Sequence, residues 1–76
     1  MAEEHEIDAR FLEPPEPFVR VMESLDLLDQ GRCTAVRLLL FREPHPLYKV
    51  LDQNGYGREV RQEDDGTWVI RILPRA

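Results

Sequence analysis

Apolar side chains recur along this chain with two different periods. Ile7 and Ala9 alternate with His5, Glu6, Asp8 and Arg10, a period of two that predicts a half-buried strand over residues 5–10. Phe18, Val21, Met22, Leu25 and Leu28 then return every three or four residues, which lays one apolar stripe along a helix and turns Arg20, Glu23 and Asp26 outward. The proline-rich segment 11–17 separates the two. Pro15 or Pro17 suits the opening turn of that helix, where a missing N–H costs little, and Glu16 favours its positive end. Gly31 predicts the helix stop, because glycine accepts the left-handed conformation past a helix end.

The nearly continuous apolar run Cys33 to Phe41 predicts a central strand, with Val36, Leu38 and Leu40 on one face and Leu39 and Phe41 on the other. Pro44-His45-Pro46 opens a shorter second helix through Leu47, Tyr48, Val50 and Leu51, ending near Asn54-Gly55. Residues 58–63 and 67–73 read as two strands joined at Asp64-Asp65-Gly66, a hairpin signal. The expected fold class is α+β, a two-layer sandwich in the order β-α-β-α-β-β, with a four-stranded mixed sheet and two helices on one of its faces. One domain takes in residues 1–76, with fraying expected at 1–5 and 74–76. If helices cover only one side, Leu39 and Phe41 are left partly exposed, and a homodimer or another protein partner is expected to cover them.

At 76 residues there is no room for separate cofactor and substrate domains, and a chain this short buries only about 60–65% of its unfolded surface. Ten basic against 15 acidic side chains give a net charge of −5, which provides no general attraction to nucleic acid or to an anionic membrane. Nine of the ten basic residues are arginines spread from Arg10 to Arg75, a dispersion that makes no phosphate track. Tyr48, Tyr56 and Trp68 are likewise too scattered for single-strand stacking, and Gly55-Tyr56-Gly57 lacks the lysine and hydroxyl of a phosphate loop. No apolar run reaches 18 residues, and the acidic opening MAEEHEID lacks the apolar core of a secretory signal, so a cytoplasmic protein is expected. The one cysteine, Cys33, excludes an intrachain disulfide and a multi-cysteine zinc site.

Ile7-Asp8-Ala9-Arg10, followed by Phe11-Leu12-Glu13 and Pro14-Pro15-Glu16-Pro17, resembles the opening of the TusA/SirA-like family, in which an Asp-x-Arg strand leads into a Cys-Pro-x-Pro helix start. Glu43-Pro44-His45-Pro46-Leu47-Tyr48 resembles the DUF2249 branch, whose second helix opens with an Asp-Pro-x-Pro-Leu segment. The resemblance covers residues 7–72 in the same element order. It implies a sulfur-carrier scaffold whose reactive cysteine sits before the first proline, where free helix amides and the helix dipole stabilise a thiolate or persulfide. The matching residue here is Pro14, which has no sulfur. What remains is the scaffold and a docking face.

The candidate binding surface is therefore Asp8, Arg10, Pro14, Pro15, Pro17 and Arg20. Asp8 and Arg10 lean to the same side of a strand, where Arg10 meets either its own carboxylate or a partner, and Arg37 and Arg42 are candidates to extend that positive region. Cys33 is the alternative thiol, although a lone cysteine on an apolar strand is more often packed than reactive. His45, between Pro44 and Pro46 with Glu43 as a potential partner, lacks a nearby nucleophile and reads as helix-start structure. Donors at Glu3, Glu4, His5, Glu6 and Asp8 lack a metal-ligand spacing, so neither a metal nor a cofactor is expected. The functional expectation is a non-catalytic protein-binding or regulatory module on a TusA-like scaffold in sulfur or redox metabolism. A sulfur-transfer protein or small enzyme using Cys33 and a ligand-sensing module are the alternatives.

Overall fold

The computed structural model describes residues 3–75. Its elements follow the expected order: β1 (Glu3–Asp8), α1 (Glu16–Asp29), β2 (Cys33–Leu40), α2 (His45–Gln53), β3 (Tyr56–Gln62) and β4 (Trp68–Arg75). The strands form one mixed sheet in the order β1-β2-β4-β3, with β1 parallel to β2 and both other pairs antiparallel. Parallel neighbours need a crossover, which α1 supplies; the antiparallel β3 and β4 need only the turn at Asp64–Gly66. In that turn Asp65 Oδ1 accepts the Thr67 N–H at 2.9 Å, which also lowers the Asp65 pKa.

Most of the stripe on α1 becomes the core, although Phe18 at its start stays exposed and Met22 is only half-buried. Val21, Leu25 and Leu28 are buried and pack with Leu47 and Leu51 of α2 against Val36, Leu38, Ile70 and Ile72 of the sheet. Each such aliphatic contributes about 1.5–3 kcal/mol by leaving water. Ser24 is buried on the same helix and donates its hydroxyl to the Arg20 carbonyl at 2.9 Å, which satisfies the one polar group on that face. Gly31 ends α1 at φ +73°, where its amide donates to the Leu28 carbonyl and the Arg32 amide to Leu27.

Among the described residues, strand pairing reaches Glu3, opposite Cys33, and Arg75, opposite Tyr56. Residues 1, 2 and 76 lie outside the described residues. The C-terminal end is held by a cluster that local patterning does not reveal. Tyr56 Oη donates to both oxygens of Asp29 at 2.8 Å, and Arg75 reaches the same carboxylate at 2.6 Å while lying 5.0 Å over the Tyr56 ring. A carboxylate at the negative end of α1 is unfavourable alone; the Arg75 and Tyr56 bonds instead lower the Asp29 pKa.

The sheet face away from the helices carries a row of charges, while Leu39 is half-buried and Phe41 exposed, as expected. Pairing sets Glu6 opposite Arg37, Arg37 opposite Arg71, and Arg71 opposite Glu59, a row of four charges across all four strands. Arg37 and Arg71 would repel as direct neighbours. The outer carboxylates offset this: Arg71 donates to Glu4 at 2.9 Å and Glu59 at 2.7 Å, and Glu6 lies 3.7 Å from Arg37. Val69, on the same face, is buried without help from a helix. The long stems of Arg37 and Arg71 beside it cover such positions while each side chain stays partly exposed, although Arg37 Nε is itself buried without a hydrogen-bond partner.

Candidate functional site

The two proline-rich segments, far apart in sequence, meet at one end of the sandwich. Between them lies a groove of about 710 Å³. Its floor is the edge of the core: Ala9, Val21, Leu38 and Leu47, all buried, and half-buried Leu40. Pro14, Pro15 and Pro17 from the start of α1 form one wall, and Pro44 and Pro46 from the start of α2 form the other. The Pro14–Pro15 peptide bond is cis. Phe18 and Phe41 line the opening, 41% and 49% exposed, and Phe41 meets Phe11 edge to face at 5.4 Å between ring centroids. Arg10, Glu13, Arg42 and Glu43 are the charged lining residues.

Two of these charges are already engaged. Arg10 grips Asp8 through Nε at 2.9 Å and Nη2 at 2.7 Å, and its amide adds a third bond at 3.2 Å. The Arg10 side chain, and then its amide, hold the Asp8 carboxyl down at about 2. Glu43 accepts from Tyr48 Oη at 3.1 Å and lies 3.1 Å from His45 Nε2, which ties the start of α2 to its approach. Burial first, and the Glu43 bond second, push the Tyr48 phenol up to about 12. Arg58 lies 4.5 Å over the Tyr48 ring and pairs with Asp52 at its other end.

The helix starts themselves offer almost no free donors. The first four amides of a helix normally lack intrahelical partners and so form an anion site. At α1, Glu16 donates to Glu13, Val19 donates to Pro15, and Pro17 has no N–H, leaving only the Phe18 amide without a backbone acceptor. At α2, His45 donates to Glu43, Leu47 and Tyr48 both donate to Pro44, and Pro46 has no N–H. Proline chemistry and tight turns have consumed the donors that would stabilise a thiolate or persulfide.

Of the sequence candidates, Arg10, Pro14, Pro15, Pro17, Pro44 and Pro46 converge on the groove. Asp8 stands outside it and holds Arg10, and His45 stands outside it and holds Glu43. Arg20 does not line the groove; it is exposed on α1 and pairs with Glu16 at 3.5 Å. The expected positive region also divides, since Arg42 lines the groove whereas Arg37 belongs to the charge row on the open sheet face. Cys33 is buried in the core, placed there by a bulge that sets two residues, Thr34 and Ala35, against Glu4 alone. Burial pushes its thiol pKa up, away from the thiolate. Sequence patterning missed the floor and the Phe11–Phe41 contact; their apolar residues were legible only as strand and helix faces.

Among the described residues no set of three or more His, Cys, Asp or Glu side chains is placed to hold a metal ion, and no helix is long and apolar enough to cross a membrane. A family model described as "Uncharacterized conserved protein (DUF2249)" matches residues 6–74. The crystal structure of a SirA-like protein from Desulfitobacterium hafniense is similar, with a TM-score of 0.76 and 26% sequence identity over 93% of this chain and 97% of that one. No curated protein matches the chain.

Proposed function

This chain belongs to the DUF2249 family of uncharacterized conserved proteins, and from that premise we propose that it is a non-catalytic protein-docking module on a TusA-like scaffold, serving sulfur or redox metabolism. One observation carries the reading. Four of the five large apolar side chains left exposed among the described residues, Phe11, Phe18, Val19 and Phe41, lie on the segments around one apolar groove; only Val60 lies elsewhere. Clustered exposed aromatics beside a concave apolar floor are the chemistry of a protein anchor site. No thiol, hydroxyl or imidazole lines the groove, and of its two carboxylates Glu43 is already engaged by Tyr48 and His45. The place in sulfur or redox metabolism rests on the scaffold alone, since Pro14 occupies the position where the TusA-like pattern has its cysteine.

The test compares partner capture from host extract by three chains: the natural one, Phe18→Glu with Phe41→Glu, and Val60→Glu. All three positions are exposed, so each chain should fold. A partner retained by the natural and Val60→Glu chains and lost by the Phe18/Phe41 variant is the expected result. Equal capture by all three, or turnover by the purified chain alone, overturns the reading.

A further inference from the structure

The groove's chemistry narrows its occupant. A phosphate or sulfonate needs converging donors, and the helix starts have one amide without a backbone acceptor between them. The floor and walls are aliphatic, aromatic and proline. The charges on the lining are unequal in availability: Arg10 and Glu43 hold internal partners, whereas Arg42 and Glu13 have no ion-pair partner among the described residues. Arg42 follows β2 and Glu13 precedes α1, so a free cation and a free anion belong to different walls of the groove.

Resting on the docking reading above, we propose that the groove recognises an extended peptide segment of a partner protein that seats large apolar side chains on the floor and carries an acidic residue on the side of Arg42 and a basic residue on the side of Glu13. Apolar burial supplies the affinity of such a contact. The two exposed rim charges supply direction and discrimination, because a reversed segment would set like charges together. This complementarity favours a polypeptide over a small apolar molecule, which would leave both charges unused. It also disfavours a second copy docking through a sheet edge: β1 presents Glu3, Glu4 and Glu6 around a single histidine and no arginine or lysine to meet Glu13, and the arginines of the β3 edge are paired, Arg58 with Asp52 and Arg61 with Glu63.

The experiment pans a random twelve-residue peptide library against the full chain and against a charge-swapped chain, Glu13→Arg with Arg42→Glu. Enriched peptides are measured by fluorescence polarisation, and their seating by amide shifts at Ala9, Leu40 and Leu47. The natural chain should enrich apolar pairs flanked by an acid and a base in one order, and the swapped chain the opposite order. Peptides from the first selection should bind the swapped chain at least about fivefold more weakly, with no competition from inorganic phosphate. If the swapped chain does not fold, Arg42→Gln takes its place, and a peptide with its Asp replaced by Asn should then lose no further affinity. Groove-seated peptides that bind both chains alike, or that phosphate displaces, overturn this inference and leave the docking reading standing. Absence of any groove-seated peptide, or a small apolar molecule retained in native mass spectra of the purified chain, overturns both.

Discussion

Cys33 separates docking from sulfur chemistry most directly. Its side chain is 6% exposed, within the cluster that contains Val36 and Ile72, and burial raises its pKa. Attack on a thiol reagent or a persulfide donor requires the thiolate in contact with solvent, so the folded chain should react only when it opens. Stability of natural domains runs at about 0.05–0.15 kcal/mol per residue, so 76 residues give roughly 4 kcal/mol at the lower end. At 1.4 kcal/mol per factor of ten, opening then limits the reactive fraction to about one in a thousand. Labelling by a chromogenic disulfide should therefore be about a thousandfold slower in buffer than in concentrated urea, and the logarithm of its rate should climb linearly with urea. A native rate within tenfold of the unfolded rate, or a donor-dependent sulfur adduct on folded Cys33, would refute this reasoning and restore the sulfur-transfer alternative. Cys33→Ala provides the control: it should stay folded and retain partner capture.

Other expectations follow from local contacts. Asp8 has a folded pKa of about 2, below its ordinary 3.8, so its stabilising contribution is complete above pH 4 and disappears as pH falls through 2; carboxyl NMR should place its midpoint there, and Asp8→Asn should flatten the acid limb of the unfolding profile. Tyr48 is raised to about 12, so its contribution holds below pH 10 and is lost as pH rises through 12; Tyr48→Phe should remove the late phase of the phenolate absorbance titration. Gly31→Ala should cost about 1–2 kcal/mol in urea unfolding although nothing lies within 4 Å of the added carbon, because the penalty resides in a φ of +73°. Loss of Arg71 in Arg71→Gln should lower Tm by an amount that shrinks in high salt, since its partners Glu4 and Glu59 are exposed.

The sequence by itself determined the order of elements, the faces of β2, most of the stripe of α1 and the stop at Gly31. These depend on neighbours within a few residues: side-chain period, the missing N–H of proline and the free φ of glycine. Cys33 was legible as a packed thiol from the apolar run around it, although the bulge that turns it inward was not. Only the tertiary structure decided what those elements bring together. Strand order β1-β2-β4-β3 sets Glu4 beside Arg71, 67 positions away, and adds a row of charges to the face that carries Leu39. The parallel pairing of β1 with β2 brings the segments that follow their ends to the same side, where Phe11 meets Phe41 and two proline segments enclose one groove. Register and crossover fix such meetings, and they arise from burial summed over the whole chain, which no local pattern reports.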